Sequence, residues 1–419
     1  MNNKFYFFEK TLFYICCFFS ILIPLPLFLD GLTGGFLLQE ISFPVVSKFP
    51  IPLGLFSFGF IFLLFYLNSF FFRNEYRLLI YNKKNRLVLF FIALFILFWA
   101  IVVSKNEILR VVQLVLPIFF LLLVAFPVNK NKIRTLLYFY LGSFFIFNLT
   151  HIFYITLNND FFKISEYEYS LYWGYGIYQA FVSYPGVLGL FFALVSFLFF
   201  IEKNIILKFI LLTFLFLIFL SLGYSARRIS LFEMSLSLIS LFLFISVSFF
   251  VNKGIINRNY WFSFLIMFLL FFSSSFFYFK MPIFARAVSS AKADNFDSGR
   301  LDIYSNAIDF LSSNYYFLIF GYGGKSGFHN YFLDIIYSIG LFPFLISIFS
   351  FIFLFKIRFL PSAKQISFYL LFTILGCFLL QSMLNASITQ PFYLCNFMMI
   401  LLVVIFYTDF NASNGQREI

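Results

Sequence analysis

The chain is 419 residues long, 62% hydrophobic and only 11% charged, with a mean hydropathy of +0.96. A water-soluble domain carries about 25% charged residues, so this chain lacks the polar surface for water and is expected to turn most of its exterior to lipid. Its net charge of +12 raises the question of a nucleic-acid partner, and the placement of the cations argues against one.

The first apolar run follows Lys4 and Lys10, with no small-residue cleavage site behind it. It reads as a membrane span and not a removed signal peptide. Apolar runs of about 17–25 residues cross a bilayer as helices. Twelve are predicted: 11–29, 51–72, 87–103, 111–128, 135–157, 180–201, 205–223, 229–251, 261–279, 331–355, 365–384 and 392–407. Lys208 lies in the seventh, near its inner end, where a lysine snorkels to the interface. With the N-terminus inside, 18 of the 29 Lys and Arg residues fall on the cytoplasmic side, against 5 of the 17 Asp and Glu. This positive-inside asymmetry explains the basic balance without nucleic acid.

The expectation is an all-α polytopic membrane protein of about twelve transmembrane helices. It forms a single integral membrane domain over 1–419, with both termini cytoplasmic. Cys16, Cys17, Cys377 and Cys395 all sit inside apolar runs, without metal-ligand spacing, and read as small buried side chains. No cofactor is implied. Two extracytoplasmic connections exceed simple turns: 158–179, rich in aromatics and acids, and 280–330, before the tenth span. A long loop in an otherwise compact bundle is usually functional.

The polar residues concentrate near the outer face. In "SLGYSARRISL", Arg227 and Arg228 stand together where the positive-inside bias disfavours cations. Paired guanidiniums suit bidentate binding of phosphate or pyrophosphate; the alternative is anchoring to lipid headgroups. Glu233 lies a turn or so deeper, as a functional group inside a span or as a neutraliser of one of the arginines. His151, in the outer part of span five, reads as structural. Within the long loop, "DNFDSGRLDIYSNAIDFLSSN" predicts a helix capped at Asp297 or Ser298, with Leu301, Tyr304, Ile308 and Leu311 as its apolar stripe. Arg300 falls in the first turn, where the helix dipole disfavours a cation. Either an external anion balances it, or Asp297 or Asp302 does.

"GYGGKSGFHN" (321–330) superficially suggests a phosphate loop, but the glycine required five positions before Gly324 is Ile319. Its glycines are expected instead to permit tight turns that bring Lys325 and His329 back to the membrane surface. His329 then opens the tenth span beside Asn330. There it is either a structural histidine or a group suited to taking a proton from a sugar hydroxyl.

Taken together, these segments resemble the O-antigen polymerase and ligase superfamily of bacterial membrane glycosyltransferases. The resemblance rests on "YSARRISL", then Arg300, Ala307, Asn314, "FGYGG", His329–Asn330 and Gly340 in order. Tyr315 stands where a proline commonly follows the asparagine, and Pro343 where small residues are common. The resemblance implies a metal-independent glycosyltransferase of the cytoplasmic (inner) membrane. Its donor and acceptor would be oligosaccharides on undecaprenyl pyrophosphate, with a chain-length regulator as a further partner. Arg227, Arg228 and Arg300 would hold the pyrophosphate and His329 would act on the acceptor hydroxyl, with Lys325, Asn330, Tyr322 and Glu233 in support. Glu166, Glu168, Tyr172 and Trp173 are expected to contact sugar.

Overall fold

The computed structural model describes residues 3–23, 42–44, 50–71, 77–78, 83–104, 115, 127–128, 130–158, 178–224, 228–251, 258–278, 288, 300–323, 328, 330–358, 366–384 and 396–401. Several side chains within these segments, among them His151, Arg228 and Arg300, lie outside the described set. The fold is all-α. The long helices are α1 Asn3–Leu22, α2 Leu53–Phe71, α3 Lys83–Val103, α4 Lys130–Asn158, α5 Tyr178–Ile201, α6 Ile205–Tyr224, α7 Arg228–Val251 and α8 Arg258–Tyr278. Three short ones follow, α9 Arg300–Ser313, α10 Tyr315–Phe320 and α11 Tyr331–Ile339, then α12 Leu341–Arg358 and α13 Ile366–Leu384. Two small antiparallel ladders pair β1 Ser42–Pro44 with β2 Pro50–Pro52, and β3 Arg77–Leu78 with β4 Pro127–Val128.

Most expected spans coincide with a helix. The first helix starts earlier than expected and ends at Leu22, because Pro24 and Pro26 follow and a proline disfavours helix in the residue before it. Of the fourth expected span only Val115, Pro127 and Val128 are described, and the last two pair as a strand with Arg77–Leu78. The tenth expected span is two helices, broken at Gly340 (φ +91°). Only 396–401 of the twelfth is described, and it is helical.

α5 sits at the centre, flanked by α6, α7, α8 and α13. Every residue from 187 to 200 is buried, as befits a helix that is apolar on all sides. Phe144 of α4 stacks on Phe191 of α5 with ring centroids 3.5 Å apart and planes 4° from parallel. Around this centre, α1 packs on α2 and α4, α7 on α13, and α11 and α12 on α3. Cys16, Cys17 and Cys377 are free and buried, as expected; Cys395 lies outside the described residues.

Large apolar side chains lie on the outside of the bundle and several polar ones within it. Phe91, Phe98, Phe209 and Phe272 point outward, each more than half exposed. Meanwhile Asn68, Asn148, Ser196, Glu233, Thr373, Gln381 and Asn396 are buried. The hydroxyls of Thr213, Ser237, Ser350, Thr373 and Ser382 donate to the carbonyl four residues earlier on their own helix, satisfying themselves without water. Among the described residues, Ile205–Gly223 is the one stretch long and apolar enough by itself to cross a bilayer. Shorter apolar stretches lie in α2, α3, α5, α7, α8, α12 and α13.

Candidate functional site

Three backbone segments meet where the long loop rejoins the bundle. At Gly321, a Cβ would lie 2.5 Å from the Ser338 carbonyl oxygen, and at Gly340, 2.2 Å from that of Ile319. At Gly323 a Cβ would lie 2.0 Å from the carbonyl oxygen of Val103, at the end of α3. All three glycines have positive φ, of +89°, +83° and +91°. Only a residue without a side chain fits such contacts. The glycines therefore do more than turn the chain, since they let 319–323 lie directly against 337–340 and 103–104.

This contact completes α11. The last four carbonyls of a helix have no partner within it, and here all four find one. Ile336 O accepts from Gly340 N at 2.9 Å, Tyr337 O from Tyr322 N at 2.6 Å, and Ser338 O from Gly323 N at 3.1 Å. Ile339 O accepts from the Trp99 indole Nε1 at 2.9 Å. At the other end, Asn330 is the N-cap, its Oδ1 accepting from Phe332 N at 3.0 Å and Leu333 N at 3.2 Å. Buried Asp334, one turn on, accepts from Phe328 N at 3.0 Å. A carboxylate in a first turn is favoured by the helix dipole. The residues on either side of His329 are thereby fixed to the start of α11.

Arg300 is the first residue of α9, as the predicted helix required. The predicted stripe needs correction: Tyr304 is half-buried and Leu311 buried, but Leu301 is 66% and Ile308 54% exposed. Ala307 is the further buried position. The face that packs is set by an aromatic cluster, in which Phe310 stacks on Phe317 of α10 and meets Tyr322 and Tyr337. Phe328 meets Tyr337 edge-on at 5.3 Å. Tyr322 remains 39% exposed at the rim of this cluster. At the other end of α9, the Tyr304 hydroxyl donates to Met383 O at 3.1 Å, at the last turn of α13.

Glu233 is fully buried on α7. Its Oε1 accepts from Gln381 Nε2 of α13 at 2.9 Å. Among the described residues its Oε2 has no hydrogen-bond partner, and it rests where a Cβ on Gly189 of α5 would stand. The described partner of Glu233 is thus an amide from a neighbouring helix. The C-terminal ends of α3 and α13, the N-terminal half of α7 and segment 300–340 all gather at one end of the bundle.

Of the residues singled out in the sequence, Asn330 is a helix cap, Tyr322 a cluster rim residue and Glu233 an interhelix contact. Arg228 and Arg300 begin α7 and α9. Arg227, Lys325 and His329 lie outside the described residues, as do Glu166, Glu168, Tyr172 and Trp173. Sequence reasoning missed Gln381, Trp99, Asp334 and Gly189. Gln381 was detectable, because an amide inside an apolar run needs an internal partner. No family model, curated protein or solved structure matches the chain.

Proposed function

We propose that this chain is a polytopic membrane glycosyltransferase that polymerises undecaprenyl-pyrophosphate-linked oligosaccharide repeat units at the outer face of a bacterial cytoplasmic membrane. The product is O-antigen or a related surface polysaccharide. The observation that carries this reading is the gathering of the long loop and the start of α7 at one end of the bundle. α9 opens with Arg300, α11 follows His329, and α7 opens at Arg228. Apolar side chains cover the flanks, as a lipid-anchored substrate requires, and the helices that carry or follow the candidate arginines and histidine begin at that end. The ends that meet there, those following α3 and α13 and preceding α7, are also those which the charge asymmetry assigns to the outside.

In this reaction an acceptor sugar hydroxyl attacks the anomeric carbon of the donor. The bond from that carbon to the pyrophosphate oxygen breaks, and undecaprenyl pyrophosphate departs. His329 takes the hydroxyl proton, and Arg227, Arg228 and Arg300 hold the pyrophosphate as its charge develops. The cleaved linkage supplies the driving force, so neither nucleotide nor metal enters the scheme.

Deleting the gene and resolving surface glycolipid by electrophoresis tests the proposal. A polymerase deletion leaves core capped by a single repeat. Uncapped core points instead to the ligase that transfers polymer to lipid A–core, or to a flippase. An unchanged ladder refutes all three.

A further inference from the structure

The last turn of α13 receives two contacts from elements that carry the arginines. Two residues apart on that turn, Gln381 bonds Glu233 of α7 and Met383 O accepts from Tyr304 of α9. Glu233 is five residues beyond Arg228, and Tyr304 four beyond Arg300. At 1.5 Å rise per residue, each contact lies within about 8 Å along the helix axis of its arginine's backbone. Met383 O is one of the carbonyls that a helix end leaves without an internal partner, so the tyrosine fills an acceptor that no backbone donor within α13 reaches. α11, which follows His329, also packs against α13.

The Glu233 contact is close. Its carboxyl occupies the position that a Cβ on Gly189 would take, 2.0 Å from Oε2 and 2.6 Å from Cδ. Three helices, α5, α7 and α13, therefore meet on one side chain, and a shift of α7 along either neighbour breaks the Gln381 bond or drives the carboxyl into the α5 backbone. Three residues along, Leu236 also packs closely on Gly376 of α13, its Cδ2 2.4 Å from where a Cβ there would lie. This second contact fixes the same antiparallel register.

We propose that Glu233, Gln381 and Gly189 form a register lock, and that Glu233 and Gln381 are positioning residues. Through the last turn of α13 they set the start of α7 against the start of α9, and so Arg228 against Arg300. The positional role rests on the polymerase reading; the lock itself does not. Charge is not its working feature. Gln at 233 retains an oxygen to accept from Gln381, whereas Leu at 381 leaves a buried carboxyl oxygen with no donor.

The test uses full-length protein in membranes or detergent, with two readouts. Hydrogen exchange over 300–313 and 228–236 measures the lock directly. Gln381→Leu and Gly189→Ala are expected to raise exchange there by about tenfold or more, with α1 and α2 unchanged, while Glu233→Gln stays near wild type. Adding Glu233→Ala to Gly189→Ala relieves the clash and brings exchange below that of Gly189→Ala alone. Unchanged exchange in Gln381→Leu overturns the lock, and so does a Glu233→Gln variant as damaged as Gln381→Leu. The second readout is elongation of an undecaprenyl-pyrophosphate-linked repeat. The positioning role predicts that Gln381→Leu lowers kcat at least tenfold more than it raises KM, and that Glu233→Gln keeps a rate near wild type. Equal kcat in both variants and wild type overturns that role. A wild-type protein that elongates nothing refutes the polymerase reading, and exchange still decides the lock.

Discussion

Replacing Gly340 by alanine should open the junction between the long loop and the bundle. Gly340 has φ +91° and ψ +165°, a region essentially restricted to glycine, where another residue costs about 1–3 kcal/mol in backbone strain. The new Cβ would also lie 2.2 Å from Ile319 O and 2.7 Å from the carbonyl carbons of Ile319 and Phe320. These are backbone atoms and cannot rotate aside. The strand of chain at 319–323 must move away, taking with it the bonds from Tyr322 N to Tyr337 O and Gly323 N to Ser338 O, each contributing about 1 kcal/mol. Together these effects favour local opening by about 3 kcal/mol, or roughly 100-fold in the opening equilibrium. Hydrogen exchange by mass spectrometry over 319–340 should show that rise, with α1, α2 and α4 unchanged. Gly59→Ala and Gly142→Ala are internal controls, because nothing lies within 4 Å of a Cβ at either. Both are helical, so alanine should stabilise by about 0.5–1 kcal/mol. Wild-type exchange over 319–340 in Gly340→Ala, or equal damage from Gly59→Ala, would refute the close-packing account.

Other consequences follow from single contacts. Asn330→Ala should cost about 1 kcal/mol of stability through the lost cap, while Asn330→Asp keeps both the cap and the polymer ladder; loss of the ladder in Asn330→Asp would mean that the amide meets substrate. Lys132 of α4 pairs with buried Glu9 of α1, so Lys132→Met should destabilise by about 3 kcal/mol by leaving a buried charge unpaired. Adding Glu9→Leu should recover most of that in a thermal melt of detergent-solubilised protein. Reporter fusions should place both termini and the 202–204 turn on the cytoplasmic side and residues 280–330 outside. His329→Ala and Arg300→Ala should insert normally yet fail to restore a long-chain ladder to a deletion strain; full ladders from both would remove them from the site.

The helices were legible because their apolar runs are long and their ends are marked by charge or proline. Each of α2, α3, α5, α6, α7, α8 and α13 lies within a few residues of its expectation. The break at Gly340 was not legible, since apolar residues continue on both sides and the cause is contact with Ile319 and Phe320, distant in sequence. The helix Arg300–Ser313 was found from its composition and spacing, while its expected caps, Asp297 and Ser298, lie outside the described residues and its inward face was misread. Leu301 and Ile308 fit a 3.6-residue period, yet packing follows the aromatic cluster around Phe310. For Asn330 and Glu233 the residue type was informative and the role was not. Asparagine before an apolar helix serves as a cap as readily as a ligand, and the partner of Glu233 proved to be a glutamine about 150 residues away, separated by 148 positions.

The central claim is tested most directly by reconstituting the purified chain in liposomes with an undecaprenyl-pyrophosphate-linked repeat unit from its source, with chelator present and no nucleotide. The account predicts lipid-linked oligomers of two or more repeats and stoichiometric release of undecaprenyl pyrophosphate, both lost in His329→Ala and Arg300→Ala. Failure to form oligomers, or transfer of the repeat only to lipid A–core, would contradict it.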